Sequence, residues 1–216
     1  MILVFLGPPG AGKGTQCKAL VDRYHWCHLS SGDILRRERK EGTELGRQAQ
    51  SYMDSGKLVP DDLIVSMMMK ELTKAADKGF ILDGFPRTQG QAEELDKALR
   101  KQNKGINIVL NLEVDDTRLE QRVTGRRTCP GCGTAYHIIF NPPRQDNVCD
   151  KDGQPLVQRP DDTAEVVRNR IQAYHQQTAP LISYYGKQNL VQNIDGNAAI
   201  DDVTESMFRI LDGFTA

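Results

Sequence analysis

Net charge is nearly absent from this sequence, and that limits the partners it can attract. Its 216 residues include 28 basic and 29 acidic side chains, which gives a formal charge of −1. The global basic field that favours bulk binding to nucleic acid is therefore missing, and we expect no nucleic-acid partner. Internal repeats and low-complexity tracts are missing too. A chain of this length is enough for one domain with a sizeable core and an insertion.

Long hydrophobic runs are also absent. No apolar stretch approaches the ~20 residues that a membrane-spanning helix needs, so we expect no membrane association. The first apolar run lacks the preceding basic residues of a signal peptide. The five cysteines are an odd number, and Cys17 and Cys27 lie in periodic segments where small buried hydrophobic residues are usual. A reducing, cytoplasmic compartment fits this cysteine usage.

Glycine, by contrast, is concentrated directly after the first apolar run. Residues 7–15 read Gly-Pro-Pro-Gly-Ala-Gly-Lys-Gly-Thr and match the G-x-x-x-x-G-K pattern up to Lys13. In that pattern backbone N–H groups and a helix N-terminus bind phosphate. Ser or Thr commonly follows the lysine as a Mg²⁺ ligand, but here Gly14 stands there and Thr15 follows. The alternative is a turn that only joins a strand to a helix, and the strand–loop–helix context favours a phosphate site.

Strand-like apolar runs alternate with helical patterns along the rest of the chain. This alternation predicts an α/β fold, a parallel sheet covered by helices on both faces. The predicted strands are residues 2–6, 27–29, 80–83, 106–112 and 190–194, and the predicted helices are residues 15–24, 33–37, 44–54, 61–76, 88–101, 115–124, 163–178 and 199–211. Ligands bind at the carboxyl ends of such strands. The groups that follow these ends, and should face one crevice, are residues 7–15, Asp33, Asp83, Arg87 and the turn at 195–198.

Individual residues predict how some helices begin and end. Thr88 with Gln91 matches a capping box at a helix N-terminus. Pro180 is expected to bend or interrupt the helix that precedes it. Arg122 and Arg126 are four residues apart, so they share a face if their helix persists.

A cysteine cluster lies in residues 125–162, where glycine and proline break the pattern of strands and helices. The cluster is Cys129, Cys132, Cys149 and Asp152. Two cysteine knuckles at this separation are typical of metal sites, and three thiolates with one carboxylate suit structural Zn²⁺. His137 is a rival fourth ligand and Asp150 a poorer one. The alternatives are three free thiols in a loop, or a Cys129–Cys149 disulfide in an oxidising setting.

Several stretches that follow one another along nearly the whole chain are more specific together than the glycine-rich loop alone. They are residues 7–15, 30–36, 57–60, 82–88 with Gln91, Arg122 with 125–127, 159–162, 168–170 and 194–196. In this set the sequence resembles adenylate kinase. The resemblance implies an α/β P-loop nucleoside monophosphate kinase fold with a five-stranded parallel sheet flanked by helices. It also implies a core of residues 1–29, 60–124 and 163–216, an AMP-binding flap of residues 30–59, and an inserted zinc-binding lid of residues 125–162.

The implied activity is transfer of the terminal phosphoryl group of Mg-ATP to AMP, which gives two ADP. Such a transfer needs positioning and electrostatic stabilisation, so a site built from cations fits it. The residues implied to be catalytic are Lys13, Arg87, Arg122, Arg159 and Arg170. Those implied to bind ATP are Gly10, Ala11, Gly12, Lys13, Gly14, Thr15, Arg122, Arg126, Ala135, Tyr136 and Ala198, with Arg126 stacked on adenine. Those implied to bind AMP are Ser31, Arg36, Lys57, Leu58, Val59, Gly84, Phe85, Pro86, Arg87, Gln91, Arg159 and Arg170.

The resemblance also implies the metal and the assembly. Asp33 and Asp83 would hold waters of a Mg²⁺ bound mainly to ATP, which makes Gly14 after the lysine tolerable. Ser31 stands where the family commonly has Thr, and its hydroxyl is expected to preserve AMP selectivity. Gln91 would offer adenine a donor and an acceptor. We expect a monomer that acts on ATP and AMP, with the flap and the lid closing over them to exclude water.

Two alternatives use the same residues differently. A kinase for UMP or CMP, or one with GTP as donor, would share the phosphate loop and the arginines, but the metal-bearing lid and Gln91 weigh against a pyrimidine acceptor. A zinc-ribbon module for nucleic acid or protein would need a basic or aromatic surface around the cysteines. Tyr136, His137, Phe140 and Arg144 provide little of one.

Overall fold

The computed structural model describes residues 1–74 and 79–215. Within this part of the chain the strands are β1 (Ile2–Leu6), β2 (Cys27–Ser30), β3 (Phe80–Asp83), β4 (Ile108–Glu113), β5 (Arg126–Thr128), β6 (Ala135–His137) and β7 (Val191–Asp195). The helices are α1 (Lys13–Tyr24), α2 (Ser31–Glu41), α3 (Glu44–Asp54), α4 (Asp61–Lys74), α5 (Gln89–Arg100), α6 (Asp116–Thr124), α7 (Ala164–Ala173), α8 (Pro180–Gly186) and α9 (Ile200–Thr215). Among these helices none has the length and apolar character needed to cross a membrane.

The main sheet has the predicted parallel form. Across the described residues its five strands lie in the order β2-β3-β1-β4-β7, all parallel. The central strand β1 alternates between two hydrophobic clusters, with Val4 on one face and Leu3 and Phe5 on the other. Helices α1 and α9 cover the second face, while α2, α4, α5 and α8 cover the first. Burial on both faces explains why the first run is apolar without alternation.

Some boundaries differ from the predicted ones for local reasons. Helix α1 begins at Lys13 rather than at residue 15, because Gly12 already occupies the N-cap position with a left-handed backbone. Gly14 therefore lies in the first turn of the helix and not in the loop. The predicted helix of residues 61–76 is described as far as Lys74, and its last two residues lie outside the described part.

Proline and the capping residues act largely as predicted. A π-helical turn, Tyr174–Thr178, separates α7 from α8 directly before Pro180, because proline has no N–H to donate and its ring displaces the carbonyl four residues earlier. Thr88 Oγ1 accepts the N–H of Gln91 at 3.2 Å. The other half of the capping box does not form as predicted, since Gln91 Oε1 accepts the N–H of Arg87 at 2.7 Å.

Residues 125–162, the predicted lid, contain a small antiparallel ribbon that the sequence did not predict. Strands β5 and β6 pair from Arg126↔His137 to Thr128↔Ala135. Helix α6 ends at Thr124, so Arg126 lies on the ribbon and does not share a helical face with Arg122. The ribbon leads the chain out from the core toward the cysteine cluster.

Candidate active site

A cavity of about 850 Å³ lies at the carboxyl edge of the parallel sheet. The phosphate loop forms its floor, and the lid ribbon and the start of α9 form its walls. The predicted site residues that line it are Gly10, Ala11, Gly12, Lys13, Gly14, Thr15, Asp33, Arg36, Leu58, Asp83, Gly84, Pro86, Arg87, Arg122, Arg126, Ala135, Tyr136, Arg159, Arg170 and Ala198. Small-molecule pockets typically measure ~300–1,000 Å³, so this one can hold a large ligand.

The phosphate loop is shaped by left-handed glycines and folds around a lysine. Gly10 has a φ of +86° and Gly12 a φ of +101°, which L side chains rarely adopt. Lys13 Nζ donates to the carbonyl oxygens of Gly7 at 2.6 Å and Pro8 at 2.9 Å. The ammonium group is thus held beside the N-terminus of α1, where an anion is also favoured.

Five arginines that were predicted to surround the phosphates, out of seven that line the cavity, come from different parts of the chain. They are Arg36 on α2, Arg87 after β3, Arg122 on α6, Arg159 at the end of the lid and Arg170 on α7. Backbone carbonyls orient two of them: Arg87 Nε donates to Gly84 O at 2.8 Å, and Arg122 Nη1 donates to Gly196 O at 3.0 Å. The predicted group of cations is therefore brought together around Lys13.

Aspartates orient the other arginines. Arg36 Nη2 lies 2.6 Å from Asp33 Oδ1, and Arg170 Nη1 lies 3.1 Å from Asp161 Oδ2. Burial alone would raise the pKa of Asp161, but Arg170 and Arg36 outweigh it and the pKa is lowered. These carboxylates are therefore ionised, and they hold the arginine side chains in place. They are fewer than the arginines, so the cavity keeps an excess of positive charge.

Burial disfavours the charged forms of these cations. It lowers the pKa of Lys13 to about 8 and that of Arg170 to about 10. Burial, followed by repulsion from Arg36 and Arg126, lowers the pKa of Arg159 to about 10. Positive charge crowded into a cavity of low dielectric constant is relieved by a polyanion, so the site favours phosphate groups.

Asp83 and Asp33 line the cavity together with the phosphate loop. Burial alone would raise the pKa of Asp83, but its hydrogen bond with His28 and the charge of Lys13 outweigh burial and lower it. The pKa of Asp33 is lowered as well, because Arg36 outweighs burial. Both side chains are thus ionised at neutral pH, and carboxylate oxygens are the ligands that Mg²⁺ and its waters prefer.

Known proteins are similar to this chain in sequence over nearly its full length. A family model described as adenylate kinase matches residues 5–190. The chain belongs to the adenylate kinase family. It is therefore a nucleoside monophosphate kinase, an ATP:AMP phosphotransferase.

Curated relatives come from archaea and bacteria. An adenylate kinase of Methanosarcina acetivorans is 51% identical over 215 residues, 99% of this chain and 100% of the relative. One from Archaeoglobus fulgidus is 48% identical over 213 residues, 98% of both chains. One from Staphylococcus epidermidis is 45% identical over 213 residues, 98% of this chain and 99% of the relative.

A second cavity, of about 70 Å³, lies between residues 30–59, the predicted flap, and residues of the predicted core. The predicted AMP residues that line it are Ser31, Arg36, Lys57, Leu58, Val59, Gly84, Arg87, Gln91 and Arg170. Arg36, Arg87 and Arg170 also line the larger cavity, so the two adjoin at the arginines. Ser31 Oγ donates to Gly84 O at 2.6 Å, which ties the flap to the end of β3.

Three of the predicted contact residues have further partners or surroundings within the protein. Phe85 lines neither cavity, and its side chain is buried in the core. Arg126, expected to stack on adenine, lines the larger cavity but is held by Asp162. The hydroxyl of Tyr136 accepts the N–H of Asp150 at 2.9 Å, so it points into the lid.

The amide of Gln91 is already engaged within the protein. Its Nε2 donates to Asp61 Oδ1 at 2.7 Å while Oε1 accepts from Arg87. One N–H and one oxygen lone pair remain for a ligand. Gln91 thus has a structural role and keeps the capacity to bind a base.

Sequence reasoning missed several residues around the larger cavity. They are Arg118, Gln121, His137, Phe140, Asn141 and Ile200. Arg118 precedes Arg122 by one helical turn on α6, and the (i, i+4) spacing was a usable signal for a shared face. Gln121 lies on α6 as well. The remaining residues come from the lid and the start of α9, where no periodicity indicates which side chains face inward.

The four predicted metal ligands form a compact cluster at the far end of the lid. One ligand atom from each of Cys129, Cys132, Cys149 and Asp152 lies within 4.8 Å of all the others. The Sγ atoms of Cys132 and Cys149 are 3.5 Å apart, and Cys129 Sγ is 3.2 Å from Asp152 Oδ2. Tetrahedral Zn–S bonds of about 2.3 Å separate two sulfurs by roughly 3.8 Å, so the spacing fits zinc. All five cysteines are free thiols in the described residues, so the disulfide alternative is not realised.

His137 and Asp150, the rival ligands, are engaged elsewhere. His137 Nδ1 accepts the N–H groups of Ile139 and Phe140 at 3.0 and 3.1 Å, and its Nε2 lies 3.1 Å from Gln121 O. Asp150 Oδ1 accepts the N–H of Arg144 at 2.9 Å. The geometry therefore favours Asp152 as the fourth ligand.

Proposed function

We propose that phosphoryl transfer takes place in the larger cavity, between an ATP and an AMP whose phosphates meet among Lys13 and the five arginines. The observation that carries this proposal is the convergence of these six cations beside the phosphate loop. The reaction is reversible and Mg²⁺-dependent, and it balances the adenine nucleotide pool by interconverting ATP, AMP and ADP.

Lys13 and the arginines have different roles, which follow from their positions around the cavity. Lys13 and the backbone N–H groups of residues 10–15 bind the β and γ phosphates of ATP. Arg87, Arg122, Arg159 and Arg170 surround the transferred group and neutralise its charge in the transition state. This role is supported by their burial, since a desolvated guanidinium interacts more strongly with a developing anion than a solvated one does.

AMP occupies the smaller cavity and extends toward the larger one. Arg36, which lines both cavities, binds its phosphate. Ser31, Gln91 and the backbone of residues 57–59 and 84–86 hold the ribose and base. Phe85 contributes through its backbone, since its side chain lies in the core.

ATP lies with its base against the lid. The backbone at Ala135, Tyr136 and Ala198 borders this end of the cavity. Arg126 contributes charge near the phosphates while Asp162 holds it. Arg118 has a planar guanidinium on the same wall, and we assign it the stacking position beside adenine.

Asp33 and Asp83 are the residues that would hold the waters of a Mg²⁺ ion bound to ATP. Both carboxylates are ionised and line the cavity near Lys13. When bound, the ion neutralises the phosphate oxygens of ATP. The protein contributes these two carboxylates, which receive hydrogen bonds from waters of the ion, and this arrangement does not require a Ser or Thr at position 14.

The chain works as three units: a core of residues 1–29, 60–124 and 163–216, the flap, and the lid. Arg122 and Arg170 belong to the core while Arg36 belongs to the flap and Arg159 to the lid, so the cations converge only when the flap and lid lie over the core. Closure excludes water, which would otherwise accept the phosphoryl group. Labels at exposed Gln145 and Asp22 should approach each other when a bisubstrate analogue binds; an unchanged distance distribution rejects this motion.

Structural Zn²⁺ holds the lid together through Cys129, Cys132, Cys149 and Asp152. The lid's hydrophobic cluster is small, so metal binding contributes a large part of its folding free energy. The metal lies outside the cavity lining and takes no part in the reaction. We further propose that the protein is a monomer. We also propose that it works in the cytoplasm, because a reducing compartment keeps these thiols free to bind metal.

One assay tests the central proposal. ADP formation is measured with Mg-ATP and each of AMP, GMP, CMP and UMP, and then with GTP as donor and AMP as acceptor. AMP with ATP should give the highest kcat/KM. A higher value for UMP or CMP would overturn the assignment of the acceptor, and a higher value for GTP that of the donor.

A further inference from the structure

A second group of metal-ligating side chains lies beneath the phosphate loop, apart from the lid. Asp83 ends strand β3, His28 lies on the neighbouring strand β2, and Cys17 lies on α1 above the same face of the sheet. One ligand atom from each lies within 4.8 Å of the other two, and His28 Nε2 is 3.3 Å from Asp83 Oδ2.

The strand register explains this meeting. His28 pairs with Ile81, and Ile81 and Asp83 point to the same side of β3 because strand side chains alternate. Ile81 and Cys17 belong to one hydrophobic cluster, the one that α1 covers. The three donors are therefore fixed by the sheet and its covering helix rather than by a mobile loop.

The donor set selects a class of ion. A thiolate and an imidazole favour Zn²⁺, Co²⁺ or Cd²⁺ over Mg²⁺, which prefers oxygen. The thiolate and the carboxylate together balance the two charges of such an ion. A neutral complex is the form that a buried site accepts most readily.

We propose that Cys17, His28 and Asp83 form a binding site for a thiophilic divalent cation beside the phosphate loop. Binding breaks the Sγ–H bond of Cys17, forms an Sγ–metal bond and releases the proton to solvent, while His28 binds as the neutral ring. Asp83 lines the larger cavity, so water or a phosphate oxygen in that cavity would supply the fourth ligand. The side chain of His28 is 25% exposed, which leaves the site an approach from solvent.

This site has a consequence for catalysis that rests on the role proposed above for Asp83. An ion bound to Asp83 withdraws that carboxylate from the waters of Mg²⁺. Zinc in excess of the lid's content should therefore inhibit the enzyme, in competition with Mg-ATP.

The binding test uses the whole protein with zinc already in its lid. Co²⁺ is added without oxygen, and bound ions are counted by dialysis and elemental analysis while thiolate-to-cobalt charge-transfer absorption is recorded. We expect one ion beyond the lid's content, lost in Cys17→Ala and in His28→Gln and retained in Cys27→Ala, the matched thiol control on β2. The absence of an additional ion, or an additional ion that survives Cys17→Ala, overturns the proposal.

Thermal unfolding verifies that the variants fold. If Cys17→Ala is unfolded at the assay temperature, the result is taken from His28→Gln. The side chain of His28 is not part of a hydrophobic cluster, so this variant should stay folded. The activity test follows ADP formation at fixed Mg-ATP with increasing Zn²⁺. Inhibition should be at least about tenfold weaker in Cys17→Ala, and equal inhibition rejects the catalytic consequence. Activity without added zinc is measured first. A protein that forms no ADP in that assay contradicts the proposed function, whereas the zinc series tests only the additional metal site.

Discussion

Arg126 and Asp162 form a two-point ion pair at the base of the lid, with Nε 2.9 Å from Oδ2 and Nη2 2.5 Å from Oδ1. The side chain of Asp162 is fully buried, and its Oδ1 also lies 3.5 Å from Nη1 of Arg170. One carboxylate therefore connects the lid ribbon with α7. The pair engages the edge of the Arg126 guanidinium, and the same side chain lines the larger cavity.

Removing this carboxylate should destabilise the protein strongly. Asp162→Ala leaves Arg126 without its buried partner and Arg170 with Asp161 alone, and breaking a buried pair costs about 3 kcal/mol or more. Urea unfolding followed by circular dichroism measures the loss. The control is Glu120→Ala, which breaks the exposed pair with Arg168 at 3.2 Å and should cost less than about 1 kcal/mol. Equal losses in the two variants would contradict the role given to Asp162.

The pH dependence should report Lys13. Its pKa is lowered from 10.5 to about 8 because the ammonium is buried, so free enzyme loses this charge as the pH rises through about 8. The value of kcat/KM should therefore fall above that pH. The kcat of the saturated complex should fall only at higher pH, because bound phosphate stabilises the charged form. A kcat/KM that stays flat to pH 10 would show that Lys13 keeps its proton without substrate.

Stability should change in the opposite direction over the same window. Between about pH 8 and 10.5 the unfolded chain binds the Lys13 proton and the folded chain does not. The free energy of unfolding therefore gains a contribution that rises with pH in this window. Lys13→Met lacks that contribution. In urea unfolding, the wild-type protein should therefore gain stability relative to the variant as the pH rises from about 8 to 10.5. Lys97→Met, at an exposed position, serves as the control.

The parts of the fold that follow from local sequence could be predicted. The sheet follows from apolar runs, and the phosphate loop follows from glycine and lysine spacing, because both depend on neighbours in the chain. The positions of Arg126 and Gln91 depend instead on Asp162 and Asp61, which lie 36 and 30 residues away. No periodicity encodes such pairings, so the sequence indicated the composition of the site but not how its side chains are held.

The lid metal can be tested ligand by ligand. We expect about one zinc per chain, and Asp152→Asn should weaken zinc affinity by at least about tenfold, since losing even an outer partner of a ligand has that effect. His137→Asn should leave zinc content unchanged, because both ring nitrogens are engaged within the lid. Inductively coupled plasma analysis after dialysis against a weak chelator measures both. The reverse result would assign the fourth position to His137.

Metal removal should affect stability more than chemistry. Chelation leaves the cavity residues of the core in place but removes the ion that organises the lid. The thermal midpoint should therefore fall, while the rate at low temperature changes less. Scanning calorimetry and ADP formation on the same samples make the comparison. A rate that collapses at low temperature with no change in the midpoint would place the metal in the reaction.

The two cavities should separate the effects of two arginines on the two substrates. Arg36 lines both cavities and is assigned to the AMP phosphate, whereas Arg118 lines only the larger one. A charged hydrogen bond contributes about 1.5–3 kcal/mol, so Arg36→Met should raise the KM for AMP roughly 10- to 100-fold with little change for ATP. Arg118→Met should raise the KM for ATP alone, by a smaller factor because stacking is weaker. Arg37→Met is the control for the flap, since this neighbour pairs with Glu38 and Glu71 away from both cavities. If Arg36→Met raises the KM values for AMP and ATP equally, the assignment of AMP to the smaller cavity and ATP to the larger one is wrong.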